Sequence, residues 1–249
     1  PVTVAIIKHT NPCGLAQAED AETAYELALA GDPLAAFGGI VAVNAPVGGA
    51  LARRLTERFY EIILAPAFSG EALEILATKS SLRVLALPLT RTSGYRWRTV
   101  EGGMLVQESD HVRGTEVSRG RVVSRREPTD EEWAALGFAW CAVRHVKSNA
   151  IILVQARDRQ TALVGMGAGQ PSRVASVEIA VQRARVRAEG SVLASDAFFP
   201  KADGVEAAAR AGVQAVVQPG GSQGDEEVIA AADAAGMAMV FTGTRHFLH

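Results

Sequence analysis

Val2-Thr3-Val4-Ala5-Ile6-Ile7 is the first of a series of short apolar runs that decide the fold. It is rich in β-branched residues and ends at the polar pair Lys8-His9. Runs of this kind are typical of buried strands. They alternate along the chain with segments of helical periodicity, which is the pattern of stacked β-α-β units. The sequence therefore predicts an α/β fold.

The alternation continues to the end of the chain. The predicted strands are residues 2–7, 39–43, 61–64, 82–87, 103–106, 150–154, 162–166, 191–194, 213–217 and 237–241. The predicted helices are residues 19–30, 51–59, 70–78, 129–145, 171–188, 204–211 and 226–235.

The pattern weakens between Thr90 and Arg126, where polar and Arg-rich stretches surround a single apolar run. Beyond it, Thr129 and Glu132 have the spacing of a capping box ahead of an apolar-faced helix. We therefore expect two layered α/β subdomains, residues 1–126 and 127–249. Their architecture is similar, although no residue-level repeat relates them.

Composition narrows the class of protein. Of the 249 residues 48% are apolar, and 25 Lys and Arg nearly balance 27 Asp and Glu. This balance argues against a nucleic-acid partner, and the absence of a long apolar run argues against membrane insertion. Two cysteines are too few for a disulfide framework, so we expect a cytoplasmic protein. A start on a strand without Met suggests that Pro1 is not the native first residue.

Lys8-His9 is the first candidate for chemistry. It follows a strand and precedes Asn11-Pro12-Cys13-Gly14, which we expect to form a turn at the carboxyl end of the sheet, where open α/β sheets bind ligands. An adjacent cation favours the neutral histidine, which can act as a base, while the lysine can stabilise negative charge. The alternative is that the pair lies on a surface loop without a chemical task.

The segment from Gly165 to Arg173 leads from a strand into a helix, with Pro171 expected in the first helical turn. Free amide groups there attract anions, and Arg173 could clamp a phosphate. Gln170 stands where the dinucleotide fingerprint needs its third glycine, so that motif is not matched. A plain glycine-rich turn between a strand and a helix is the alternative.

Three further segments end strands of the second half. In Ser195-Asp196-Ala197-Phe198-Phe199-Pro200 the two rings could form a stacking wall or could both enter the core. Gln218-Pro219-Gly220-Gly221-Ser222 could offer backbone amides to a ligand or simply lead into a helix. The last eight residues hold one Arg and two His, an unusual composition for the disordered tail that is the alternative. Together these turns would meet at one edge of the sheet.

The ordered set of motifs resembles the transformylase portion of the bifunctional AICAR transformylase/IMP cyclohydrolase family. The resemblance runs nearly end to end, and its motifs are Lys8-His9-Thr10-Asn11-Pro12-Cys13-Gly14, Asp32-Pro33-Leu34-Ala35-Ala36-Phe37-Gly38-Gly39, Lys147-Ser148-Asn149-Ala150, Gly167-Ala168-Gly169-Gln170-Pro171-Ser172-Arg173, Ser195-Asp196-Ala197-Phe198-Phe199-Pro200, Gln218-Pro219-Gly220-Gly221-Ser222 and Arg245-His246-Phe247.

The resemblance implies formyl transfer from 10-formyltetrahydrofolate to the 5-amino group of AICAR, by subdomains of cytidine-deaminase-like type with active sites at a homodimer interface. It implies three catalytic residues, Lys8 for the oxyanion, His9 for the proton and Asn149 for positioning. The substrate-binding residues that it implies are Gly38, Arg173, Phe198, Arg245 and Phe247. It also places Asp196 at a structural potassium site.

Two departures from the family pattern matter. An upstream Arg-Tyr-Gly-x-Asn-Pro-His-Gln segment that contributes to nucleotide binding is not part of these residues, nor is the amino-terminal cyclohydrolase domain. Lys201 stands where the family commonly has a Phe, which puts one folate contact in doubt. A catalytically incomplete nucleotide-binding or dimerisation fragment is therefore an alternative.

Zinc-dependent deamination is a further alternative, and the motif it needs is not matched. A zinc deaminase requires a Glu two residues after its His and a Pro-Cys-x-x-Cys segment. Asn11 and Ala16 occupy those positions here, so we expect no zinc.

Overall fold

The computed structural model describes residues 1–88, 94–110 and 115–249. The strands in these residues are β1 (Val2–Lys8), β2 (Asn11–Ala18), β3 (Gly39–Val43), β4 (Tyr60–Ala65), β5 (Arg83–Ala86), β6 (Tyr95–Val100), β7 (Gly103–Glu108), β8 (Arg121–Val122), β9 (Ile151–Arg157), β10 (Gln160–Gly167), β11 (Val192–Ser195), β12 (Ala215–Gln218) and β13 (Ala238–Phe241). The α-helices are α1 (Ala21–Gly31), α2 (Gly49–Thr56), α3 (Gly70–Ala77), α4 (Asp130–Val143), α5 (Arg173–Ala184), α6 (Asp203–Arg210) and α7 (Asp225–Ala234).

One mixed sheet runs through both halves of the chain. Its eleven strands lie in the order β5-β4-β3-β1-β2-β10-β9-β11-β12-β13-β8. The halves meet where β10 pairs with β2 in antiparallel register, Thr161 opposite Gln17 and Ala162 opposite Ala16. The predicted α/β class is confirmed, whereas the division at residue 126 and the deaminase-like type of the subdomains stay predictions.

Alternating side chains of the central strands build the core on both faces of the sheet. In β9, Ile152 and Val154 pack with Trp140 of α4. Their neighbours Ile151 and Leu153 pack on the opposite face with Val177 of α5. Because both faces are covered by helices, these strands are apolar along most of their length.

Strand directions bring many loops to a single edge of this sheet, which we call the site edge. It is the edge where β1 ends at Lys8 and where β2 and β3, both antiparallel to β1, begin. By the same pairing rule β9 begins at this edge, and β10 and β11 end there. The parallel strands β12 and β13 also end there, and β8 begins there. The expected meeting of the turns at one edge is thus present.

Two local predictions are wrong. The expected turn at Asn11-Pro12-Cys13-Gly14 is the start of β2. Pro12 is compatible with this strand because it lies near the strand's first residue, at a register shift opposite Ile7. Pro171 is not in the first turn of a helix, since α5 begins at Arg173 with Ser172 as its N-cap.

The stretch between the halves contains more structure than the sequence predicts. Strands β6 and β7 form a hairpin that is a separate two-stranded sheet, and β8 pairs with β13 although it precedes residue 126. Residues 89–93 and 111–114, in and beside this stretch, lie outside the described residues. In the part of the chain that the structure describes, no helix has both the length and the apolar character needed to cross a membrane.

Candidate active site

His9 lies on a tight turn at the site edge. Lys8 and Asn11 pair directly across the β1–β2 hairpin, so His9 and Thr10 alone form the turn. Both have left-handed backbone angles, with φ of 48° and 66°, as in the two-residue hairpin turns that match strand twist. The His9 side chain is exposed. The Asn11 side chain accepts a hydrogen bond from the backbone N–H of Lys147 at 3.3 Å, which links the turn to the second half.

Lys8 is held by the loop that precedes β3. Its ammonium donates to the carbonyls of Phe37 at 2.7 Å and Gly38 at 3.0 Å. Gly38 has a φ of 66°, and a Cβ there would lie 3.0 Å from the Lys8 Nζ. Glycine therefore provides both the backbone angle and the close approach. Because an ammonium has three N–H groups, one remains for a ligand.

A cleft of about 300 Å³ opens beside this pair. Lys8, His9 and Asn11 line it on the first half, and Met166 and Arg183 line it on the second. The predicted catalytic pair thus faces a space formed by both halves.

Arg173 and Asp196 form a buried ion pair at the centre of the site edge. Their side chains are 7% and 0% exposed, and Nη1 lies 2.5 Å from Oδ1. Nη1 also donates to the Ser195 hydroxyl at 2.8 Å. The other carboxylate oxygen accepts from the Ser148 hydroxyl, and Oδ1 also accepts from the Ala150 N–H. The carboxylate is therefore satisfied by several donors, as a buried charge requires.

Asn149 is fixed within the same network. Its Oδ1 accepts from Nη2 of Arg173 at 2.6 Å, and its Nδ2 donates to the carbonyls of Gln170 and Pro171 at 2.8 and 3.0 Å. All hydrogen-bonding groups of the amide are engaged, so the amide holds the Arg173 guanidinium and the loop before α5 together.

Gly165 and Gly167 of the glycine-rich segment have a packing role. A Cβ on Gly167 would lie 1.9 Å from the carbonyl oxygen of Ser176, and one on Gly165 would lie 2.2 Å from that of Ala180. The absence of side chains lets α5 lie directly against β10. These contacts favour the glycine-rich packing turn over a motif built for phosphate.

The C-terminal segment turns back across the site edge. After β13, the N–H of His246 donates to the carbonyl of Asp196 at 3.0 Å. Ser148 then donates its N–H to the carbonyl of Leu248. This segment is therefore an ordered part of the site and not a free tail.

Two predicted substrate-binding residues, Arg245 and Phe247, lie in this segment, and a third, Phe198, contacts Arg245. The guanidinium carbon of Arg245 lies 4.7 Å from the ring centre of half-buried Phe198. Phe199 is fully buried in the core, so the two neighbouring rings have different environments. Phe247 is exposed and stacks on His249.

Sequence reasoning missed His246. Its ring is 1% exposed, and its Nδ1 and Nε2 lie 2.8 and 2.9 Å from carboxylate oxygens of Asp110 and Glu116. Its edge contacts the Trp140 ring. His246 thereby fixes the segment that carries Arg245. The sequence signal for this residue was a histidine between Arg245 and Phe247. That signal does not indicate that Asp110 and Glu116 are its partners.

Cys13 packs in the core beneath the hairpin. Burial, with a smaller contribution from Asp32, raises the pKa of its thiol to about 11. The thiol donates to the Ile6 carbonyl at 3.3 Å. Since the thiolate is the form that binds metals or attacks substrates, Cys13 at neutral pH is a packing residue.

The fold and the site define a class: an α/β protein whose basic and polar side chains converge at one edge of a mixed sheet, next to a cleft. Residues 1–183 match the model of the AICARFT/IMPCHase bienzyme family. The chain belongs to this family.

Curated relatives agree with this assignment. Bifunctional purine biosynthesis protein PurH of Chloroflexus aurantiacus is 56% identical, over 99% of this chain and 48% of that protein. The proteins of the same name from Sorangium cellulosum and Streptococcus thermophilus are 53% and 50% identical, over 98% and 99% of this chain and 47% and 48% of theirs. The chain thus spans about half the length of the curated relatives it matches.

Proposed function

We propose that these residues carry the formyl transfer from 10-formyltetrahydrofolate to the amino group of AICAR, in purine biosynthesis in the cytoplasm. The family match supports the reaction, and the position of Lys8 and His9 beside the cleft supports the reacting centre. We assign no cyclohydrolase activity to these residues.

His9 moves the proton in this proposal. The amine nitrogen attacks the formyl carbon and gives its proton to the His9 imidazole, assisted by the adjacent carboxamide of the substrate. The tetrahedral intermediate then collapses, the bond from the formyl carbon to the folate nitrogen breaks, and the imidazolium returns the proton to that nitrogen. An exposed imidazole on a short turn can reach both nitrogens by side-chain rotation.

Lys8 stabilises the oxyanion of the tetrahedral intermediate. Two of its N–H groups are fixed by the carbonyls of Phe37 and Gly38, and because Lys8 lines the cleft, the third is left for the oxyanion. A donor that is oriented before the reaction needs little reorganisation as charge develops.

The other predicted residues fall into two groups. Arg245 and Phe198 offer a cation and a ring face to the nucleotide, and exposed Phe247 offers a second ring. Arg173 acts on the carboxamide region with the N–H groups that the internal network leaves, and Asn149 positions it. Lys201 is exposed and supplies no ring for the folate.

A structural potassium ion at Asp196 remains part of the proposal. Hard cations take oxygen ligands, and the Asp196 carboxylate and the Ser148 hydroxyl lie together at the site edge. These two residues would hold the ion, which would add positive charge beside the C-terminal segment. Oδ1 of Asp196 is already engaged by Arg173 and by the N–H of Ala150.

The decisive experiment measures formation of tetrahydrofolate from 10-formyltetrahydrofolate. The full-length protein and the 249-residue chain are assayed side by side with and without the aminoimidazole nucleotide. We expect nucleotide-dependent turnover by the full protein. Nucleotide binding without turnover by either protein would contradict formyl transfer and favour a binding fragment.

We also propose that the protein is a homodimer and that the β6–β7 hairpin takes part in the interface. Trp97 pairs opposite Val106 and Thr99 opposite Met104, so these side chains share one face with Tyr95. Trp97, Tyr95 and Met104 are 66%, 61% and 53% exposed. A lone two-stranded hairpin is marginally stable in water, and an exposed apolar face of this kind is typical of a protein interface.

Replacing Trp97 by Asp should weaken the dimer about 30-fold or more, since a buried aromatic anchor contributes about 2 kcal/mol or more to binding. Sedimentation velocity of the full-length protein over a concentration series measures the change. Leu105→Asp is the matched control, because Leu105 is similarly exposed, at 60%, but lies on the other face of the hairpin. Equal dimer stability in the two variants would contradict the assignment.

A further inference from the structure

A second cleft lies at the site edge beyond the end of β13. It has a volume of about 590 Å³, and Arg119, Arg121 and Arg245 line it together with the turns that follow β12 and β13. We call it the three-arginine cleft. Its volume is in the range of small-ligand sites.

Three arginines outnumber the one acidic residue among the residues that line this cleft, so the lining carries a net positive charge. Asp225 already accepts hydrogen bonds from the N–H groups of Gly221 and Ser222, at 2.8 and 3.1 Å. Its carboxylate is therefore occupied with the turn at the start of α7. Three guanidinium groups around one cleft create a strongly positive potential for an anion.

Packing fixes where Arg119 and Arg121 lie. The glycine between them, Gly120, has no room for a side chain, because a Cβ would lie 2.7 Å from a Val240 methyl and 3.0 Å from the Phe241 carbonyl. Arg121 pairs opposite Phe241 in the sheet. Val117, on the same turn, is buried in the core of the second half. The two arginines are thus held beside β13 by a well-packed turn.

Arg245 connects this cleft to the site described above. It lines the cleft and lies over the ring of Phe198. An anion held by Arg245 in this cleft would share the cleft with Arg119 and Arg121. This arrangement suits a substrate with more negative charge than one guanidinium neutralises.

We propose that Arg119 and Arg121 are specificity-determining residues that bind a further oxyanion of a multiply charged substrate in the three-arginine cleft, beside the group that Arg245 takes. The recognised chemistry is a phosphate or a cluster of carboxylates. The identification of the ligand as a substrate rests on the proposed function. In that reaction the nucleotide carries a phosphate and the folate carries carboxylates.

The test uses tripolyphosphate and citrate as separate probes, with calorimetric titration of the full-length protein. We expect the double variant Arg119→Gln/Arg121→Gln to bind one of the probes with about tenfold or more lower affinity, because charge-assisted hydrogen bonds are lost. The preferred probe tells the two sources apart. Native binding should also weaken as salt increases.

The matched control is Arg157→Gln/Arg159→Gln, which removes the same charge from exposed arginines near the opposite edge of the sheet. Failure of both probes to bind the native protein, or equal affinity in the two double variants, would overturn the inference. Binding of either probe does not require formyl transfer. A failure of the formyl-transfer proposal is therefore distinguishable from a failure of the three-arginine cleft to bind anions. If both proposals hold, the double variant raises KM for one substrate and leaves kcat unchanged.

Discussion

Replacing His9 by alanine should lower kcat for formyl transfer by about 100-fold to 10,000-fold, the usual contribution of a positioned acid-base group. The amine of AICAR would then lose its proton acceptor, and the folate nitrogen would lose its donor. Single-turnover kinetics with saturating substrates measure the chemical step directly. Nucleotide affinity should change little, because the proposed phosphate and ring contacts come from Arg245 and Phe198.

A second variant at His9 separates the loss of the imidazole from a change in the conformation of the turn. His9 has a φ of 48°, and asparagine tolerates such angles better than alanine does. His9→Asn should therefore keep the hairpin and lose the same activity. Thr10→Ala changes the other turn residue and serves as the control for turn geometry. A kcat for His9→Asn within about threefold of the native value would rule out His9 as the base, given the contribution stated above.

Replacing Asp196 by alanine should destabilise the protein by about 3–5 kcal/mol, because the Arg173 guanidinium would remain buried without its partner. For a domain of this size we expect a fall in melting temperature of roughly 6–20 °C. Thermal unfolding followed by circular dichroism measures it. Glu19→Ala is the control, since the Glu19 side chain is 79% exposed and its ion pair is with the exposed Arg159.

The same measurement tests the potassium proposal. In potassium chloride the native protein should melt at a higher temperature than in lithium chloride of equal ionic strength, and Asp196→Asn should abolish the difference. Equal melting of the native protein in the two salts would contradict an ion at Asp196.

A double variant, Arg173→Met with Asp196→Leu, should recover part of the stability that Asp196→Ala loses, because it removes both buried charges.

Local sequence patterns predicted the strands and helices with little error where both periodicity and burial are strong. Gly39–Val43 is observed as predicted, because its residues alternate between the two sides of a covered sheet. Strand β2 was missed because its first four residues, Asn11-Pro12-Cys13-Gly14, are rich in residue types typical of a turn. Strand β6 was missed because it lies outside the core with β7. It has no buried face that would produce a periodic pattern of apolar residues.

The candidate site was predictable only as a set of separate motifs. Lys8 ends β1, Asn149 precedes β9 and Arg245 follows β13, and the directions of those strands bring the three residues to one edge. What the sequence could not show is which groups contact each other. The partnership of Arg173 with Asp196 and that of His246 with Asp110 depend on long-range packing, which local patterns do not encode.

The two-residue turn at His9 has a consequence for the speed of the proposed reaction. Its backbone is fixed by strand pairing on both sides, so the imidazole can move between donor and acceptor nitrogens only by rotation about its side-chain bonds. Such rotations take picoseconds to nanoseconds at exposed positions, whereas loop rearrangements take far longer. Rotation of the imidazole, which carries the proton, would therefore be too fast to limit turnover. Turnover would be limited by bond formation or by release of the products.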